Sequence, residues 1–192
     1  MAFVQIDFNT QHAAPAGWNS TDDNTTSGTL TNMDDEDSGA TTWDWDMDIA
    51  TSGQNGAGTN ADHGDFPANV RRDSFFNNNG VTAQMTISGL DNGETYEVQI
   101  EASRGTTTLR VGEYTVGGVM KTIDAGVPAD NFNSWTGVSP SGGGIVISFT
   151  DEASSTFSYI SGMRIQQEVG GSVMNQMQNS NLGVDLYNGT IL

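Results

Sequence analysis

The 192-residue sequence contains no cysteine, so neither disulfides nor thiolate metal sites contribute to its stability or chemistry. Positive charge is almost as scarce. Six lysines and arginines stand against 24 aspartates and glutamates, a formal net charge of −18. A surface of that sign repels nucleic-acid phosphates and anionic membrane, which argues against a nucleic-acid or membrane-surface binder. Sparse lysine and excess acid suit a salty medium, although a charged fraction of only 16% is low for a strong halophile. No run approaches the ~20 apolar residues of a membrane-spanning helix. Histidine occurs only at positions 12 and 63, and without cysteine beside them a zinc site is not expected. His63 lies between Asp62 and Asp65, where it could act as a base, but no Gly-x-Ser-x-Gly motif accompanies it. Nothing singles out a carboxylate pair of the glycosidase kind among the acids. The sequence therefore reads as a non-enzyme.

What the chain does have is alternation. Ala83, Met85 and Ile87 alternate with polar neighbours, and after Asp91–Thr95 so do Tyr96, Val98, Ile100 and Ala102. A period of two places side chains in turn on the core and the solvent, as in half-buried antiparallel strands. Asn92-Gly93 offers the positive φ values of a tight reversal, so this block is predicted to be a β-hairpin. The same pattern predicts strands over 41–49, with Trp43, Trp45, Met47 and Ile49 on one face, and over 109–116, 119–123, 144–149 and 157–165. Gly117-Gly118 is read as a turn, as is Asn77–Gly80 after an extended stretch over 70–76. Residues 9–39 and 51–65 are read as loops. Val4, Ile6 and Phe8 alternate from the outset, so the first strand is expected almost at Met1, with no export signal before it. The expected fold is all-β: a jelly-roll-type antiparallel β-sandwich over residues 1–167, followed by an extended C-terminal arm over 168–192.

The arm has no usable period and ends in an apolar peptide. Leu182, Val184, Leu186, Tyr187, Ile191 and Leu192 are its candidate anchors, expected to cross to another subunit. Other candidates are spread over the sandwich. Trp18 and Trp135 sit in loop-like sequence and are candidate platforms for a sugar ring, with Arg104 as a polar partner, whereas Trp43 and Trp45 share the apolar face of one strand and are expected in the core. Arg71, Arg72, Arg104 and Arg110 are expected to pair with acids at strand edges. Asp44, Asp46 and Asp48 resemble the opening of a calcium loop, but Ile49 stands where glycine is required and Asn55 where a bidentate glutamate is required. Asp34, Asp35 and Asp37 read first as an exposed acidic turn, and they are the candidate ligands if a structural calcium is held.

Several stretches together carry a family resemblance: Arg72-Asp73-Ser74-Phe75-Phe76, Glu101-Ala102-Ser103-Arg104, Arg110 with Tyr114-Thr115-Val116, Gly137-Val138-Ser139-Pro140 before Ile145-Val146-Ile147, and Tyr159 to Ile165. Over residues 3–166 they resemble the galactose-binding-like, malectin-like and carbohydrate-binding-module β-sandwiches of secreted bacterial proteins. The tail resembles phage structural proteins in style. The leading expectation is a structural virion protein, a capsid decoration or cement subunit of a tailed phage, with an outward sandwich and an arm gripping other subunits of the particle or a homo-oligomer. The alternative is a carbohydrate-binding module of an extracellular or phage tail protein, with a host glycan as partner.

Overall fold

A computed structural model describes residues 3–8, 11–106, 108–127 and 131–168. One sheet is built from β1 (Phe3–Asp7), β2 (Asn19–Ser20), β8 (Tyr96–Glu101), β11 (Phe132–Val138) and β14 (Gly162–Gln167), in the order β11-β8-β14-β1-β2. The facing sheet uses β3 (Thr29–Leu30), β4 (Asp44–Ile49), β7 (Ala83–Ser88), β9 (Val111–Val116), β10 (Val119–Asp124) and β12 (Ile145–Asp151), in the order β10-β9-β12-β7-β4-β3. A three-stranded strip of β5 (Gly53–Asn55), β6 (Ser74–Asn78) and β13 (Phe157–Ile160) accompanies them. The pairing is antiparallel apart from the short parallel contact of β1 with β2. The sandwich expected from the alternation is the fold.

Its core lies where the inward faces meet. Val4, Ile6, Val98, Ile100, Met163 and Ile165 come from one sheet, and Trp45, Met47, Met85, Ile87, Tyr114, Val116, Ile147 and Phe149 from the other. Each such side chain contributes roughly 1.5–3 kcal/mol when fully withdrawn from water. The buried indole of Trp45 directs Nε1 at Met85 Sδ, 3.3 Å away, and Tyr114 stacks on Phe149 with centroids 5.8 Å apart.

The predicted hairpin is corrected. Strands β7 and β8 have the expected faces buried, but they lie in opposite sheets and do not pair. The connection at 89–95 is an arch across the sandwich. Alternation reports which face of a strand is buried and carries nothing about its neighbour, so two inward-facing strands on opposite sheets look the same as a hairpin. Asn92 and Gly93 are not in the positive-φ region; Asp91 Oδ1 accepts from the Gly93 amide at 2.8 Å instead. The residue that carries the arch is Gly89, at φ +79, where a Cβ would stand 1.9 Å from the Thr42 carbonyl oxygen. By contrast, Gly117 and Gly118, both at positive φ, close the two-residue hairpin between β9 and β10 as predicted.

Smaller departures have local causes. A register shift between Met47 and Ile49 turns Ile49 out to solvent, away from the face of Trp43, Trp45 and Met47. Residues 70–72 are not extended but belong to a short helix, α1 (Ala68–Arg72), entered from Pro67; the fixed φ of proline suits a helix start. The stretch over 157–165 is two strands in different sheets, separated at Ser161, whose amide donates to Glu101 O at 2.8 Å. The loops at 9–39 and 51–65 contain the short strands β2, β3 and β5.

The two glycines give a direct check. Gly89→Ala is expected to cost about 3 kcal/mol of stability, through both forced positive φ and a backbone clash. Gly93→Ala should stay within about 0.5 kcal/mol. Urea unfolding of both variants measures the contrast, and equal losses would contradict the arch.

Candidate functional site

The alternation that sends Val98 and Ile100 into the core sends Glu97, Gln99 and Glu101 to the outer face of the five-stranded sheet. Across the ladders, Arg164 stands opposite Gln99, and both Gly162 and Phe132 stand opposite Glu101. This face is covered by the segment 57–73. Gly58 N donates to Arg72 O at 2.7 Å, closing the segment on itself, while the bonds from Thr59 N to Ser103 Oγ at 3.1 Å and from Gly105 N to Ala57 O at 2.9 Å tie it to the sheet margin. Phe66 and Val70 are buried beneath it, apart from the main core. They reach the sheet so closely that a Cβ on Gly162 would come within 2.5 Å of Val70 Cγ1 and 3.1 Å of Phe66 Cδ1.

Under this cover lies an ion cluster. Glu101 is fully buried, and each of its oxygens has one partner: Arg71 Nε at 2.6 Å from Oε1, and His63 Nδ1 at 3.3 Å from Oε2. Arg71 Nη1 donates to Ala61 O at 2.6 Å. Burial pushes Glu101 up to about 7, against the opposing pull of Arg71 and His63. His63 is held by a tight turn: its amide and carbonyl exchange hydrogen bonds with those of Phe66, and Gly64 between them takes φ +55.

The outer side of that turn forms a pocket of about 310 Å³ lined by His63, Gly64, Asp65, Phe66, Gln99, Phe132 and Arg164. Its apolar part is aromatic. Phe66 lies 5.9 Å from Phe132 and 5.8 Å from Trp18 between centroids, and the His63 ring meets Phe132 edge-on at 6.2 Å. Its polar part is held in place: the Arg164 guanidinium sits 4.3 Å from the Phe3 ring centroid, bonds Asp65, and donates to Gln99 Oε1 at 3.0 Å. Planar donors and acceptors fixed beside an aromatic wall are equipped to bind a polar, ring-shaped molecule. A second, shallower cleft of about 620 Å³ on the outer face of the six-stranded sheet is lined by Gln84, Thr86, Thr115, Ser148 and Val146, and no aromatic ring lines it.

The sequence candidates fall differently. Trp135 is buried and donates from Nε1 to Val119 O at 2.8 Å, with Lys121 over its ring, so it is no platform. A seemingly loop-borne tryptophan is in fact on β11, facing the core. Trp18 is half-buried beside the pocket, braced on Phe66. Arg104 is occupied in holding the covering segment, donating to Asn55 Oδ1 and Ala57 O at 2.8 Å. Asp34, Asp35 and Asp37 do not converge: Asp35 Oδ1 accepts from the Gly39 and Asp37 amides, closing its own turn, and no group of three potential metal ligands occurs among the described residues. The arm anchors Leu182, Val184, Leu186, Tyr187, Ile191 and Leu192 lie outside the described residues. The expected pairing of arginines with strand-edge acids holds for Arg71 with Glu101, whereas Arg110 lies over the Phe157 ring.

No protein-family model matches the sequence, and no curated protein does. Solved structures overlap it loosely. The CBM35 module of Cellvibrio japonicus Abf62 does so with a TM-score of 0.36 at 15% identity, over 59% of this chain and 83% of that one. A family 35 carbohydrate-binding module from Clostridium thermocellum gives 0.35 at 17% identity, over 65% and 88%. TmCBM61, in complex with β-1,4-galactotriose, gives 0.37 at 14% identity, over 66% and 88%. Overlap of this extent carries no argument about the chain's family or its ligand.

Glu101 makes stability depend on pH. An ordinary glutamate titrates near 4.5, and this one near 7 when folded. Between those values the folded chain holds a proton that the unfolded chain has released, so the group's contribution is full below about 4.5 and declines as pH rises to about 7. The decline is expected to reach at most about 3 kcal/mol. Urea midpoints at pH 5 and 8 for the wild type and Glu101→Gln isolate it, since the variant should lose this part of the slope. Identical slopes would assign the pH dependence to other acids.

Proposed function

We propose that this domain binds a saccharide, without transforming it, in the pocket between the His63–Phe66 turn and the outer face of the five-stranded sheet. The observation that carries the reading is the composition of the pocket. Half-buried Phe132, backed by the buried Phe66, offers an apolar surface to the C–H face of a sugar ring, while Gln99, Arg164, Asp65 and His63 converge as planar hydrogen-bonding groups for its hydroxyls. Small-molecule sites combine a largely apolar lining with a few placed polar groups, in volumes of ~300–1,000 Å³. This pocket lies at the lower end of that range, which suits one sugar unit or the end of a chain. Saccharides are also the ligand class that the sequence resemblance implies. The hydroxyl-rich cleft on the other sheet lacks a ring to stack on, and stacking supplies much of the affinity available to a neutral polar ligand.

Calorimetric titration with β-1,4-galactotriose, xylotriose, cellotriose and mannotriose is the test. At least one is expected to bind, and Gln99→Ala and Phe132→Ala should each weaken it about fivefold to tenfold, the worth of roughly 1–1.4 kcal/mol. Ser148→Ala, in the opposite cleft, should leave it unchanged. Silence from every oligosaccharide, or a loss in Ser148→Ala with Phe132→Ala unaffected, would sink the proposal.

A further inference from the structure

We infer that Glu101 selects the tautomer of His63, so that the pocket presents an acceptor nitrogen when Glu101 is ionised and a donor nitrogen when it is protonated. The effect on ligands rests on the pocket reading above, but the switch itself follows from the geometry.

The two oxygens of Glu101 are divided between partners of different character. Oε1 receives Arg71 Nε, which has only hydrogens to offer, so it must remain an acceptor in either state. Oε2 faces His63 Nδ1, a nitrogen that can donate or accept. Any proton that Glu101 takes up is therefore directed to Oε2 and the histidine. With Glu101 ionised, Nδ1–H donates to Oε2, and Nε2 is left bare as an acceptor. With Glu101 protonated, Oε2–H donates to Nδ1, and Nε2 carries the ring hydrogen. In the proposed step one proton taken from solvent at Nε2 is balanced by the passage of the Nδ1 proton to Oε2, so the ring gains no charge and the net change is loss of the carboxylate charge.

The outward position of the ring makes this visible to a ligand. Its Nδ1 edge is turned to a carboxylate with no solvent exposure, while the side chain as a whole is 36% exposed. Nε2 has no hydrogen-bond partner among the described residues and is not among their buried unpartnered atoms. The turn from His63 to Phe66 fixes the main chain beneath the ring, and Phe132 meets the ring edge-on at 6.2 Å. Several of the other charged groups around Glu101 have partners of their own. Asp62 Oδ1 accepts from the Ala68 amide at 2.7 Å, Asp65 pairs with Arg164, and Glu97 accepts from Ser134 and Gln99. Asp7 shares the cross-strand row of Glu101 through Gly162, and Tyr114, from the opposite sheet, feels the glutamate's charge. Arg72 at the end of α1 and Asp73, bonded to His12, complete the charged residues of the covering segment. The titration of Glu101 near neutral pH, driven by burial, places the change in an accessible range.

Long-range nitrogen-15 NMR of the histidine rings is the test, and only two histidines need assignment, which His63→Gln settles. Between pH 8.5 and 6.0 the His63 Nε2 resonance should move from the unprotonated to the protonated position while Nδ1 moves the opposite way. Glu101→Gln, whose amide can give its oxygen to Arg71 and its N–H to His63 Nδ1, should hold Nε2 protonated throughout. An unchanged wild-type ring, or protonation of both nitrogens together, overturns the switch without need of the variant. Binding follows with galactose and galacturonate as probes. The carboxylate only accepts hydrogen bonds, so its affinity relative to galactose should rise about fivefold from pH 8.5 to 6.0, the worth of one hydrogen bond, and stay constant in Glu101→Gln. A constant ratio in the wild type overturns the effect on ligands. Failure of both probes to bind while the ring still switches upholds the switch and overturns the saccharide pocket.

Discussion

The ion pair between Arg71 and Glu101 is the interaction on which the outer face of the five-stranded sheet depends. It joins a helical turn in the covering segment to the last residue of a central strand, and both side chains are removed from water. Removing one partner of such a pair typically costs 3–5 kcal/mol, because the other is left charged and buried. The consequence is local precision. With Arg71 fixed, the turn from His63 to Phe66 has a defined seat on Gly162, and the pocket has a defined rim. A carboxylate that would otherwise be one more surface acid becomes the group that orients a histidine.

The sandwich provides the rigid ground for this. Its core is filled from both sheets by large side chains in contact, from Trp45 and Phe149 to Ile100 and Met163. The arch at Gly89 carries the chain from the six-stranded to the five-stranded sheet, and the crossing at Ser161 leads from the three-stranded strip into the five-stranded sheet, bringing Gly162 and Arg164 into line with Glu101 and Gln99. The covering layer then adds a small apolar cluster of its own around Phe66 and Val70, on the face of the sheet that points away from the core.

The proposed binding pocket therefore falls on a face that the main core does not need. Phe132, Gln99 and Arg164 project from three neighbouring strands whose inward faces are fixed by packing, so their spacing is set by the ladders and not by loop flexibility. The acidic surface favours neutral over anionic ligands at long range. Neutralising Glu101 changes that balance at the proposed pocket.

The sequence by itself determined the class of fold, because alternation with a period of two is a direct record of which side chains leave water. Tyr96, Val98 and Ile100, Met85 and Ile87, and the glycine pair at 117 and 118 were all legible in this way. Partner choice was not: β7 and β8 read as a hairpin, yet each pairs within a different sheet, since burial of a face is the same signal whichever strand lies alongside. The pocket was less legible still. Glu97, Gln99 and Glu101 have the pattern of a solvated face, and nothing near them in sequence indicates that a segment thirty residues earlier covers it. Arg71 could be expected to find an acid, but which acid, and that it would be a buried one beside His63, is a fact of three-dimensional placement. Trp135 shows the converse, an aromatic residue that looked available and was claimed by the core. Composition and periodicity encode the free energy of leaving water, one residue at a time; only the tertiary structure decides which residues leave it together.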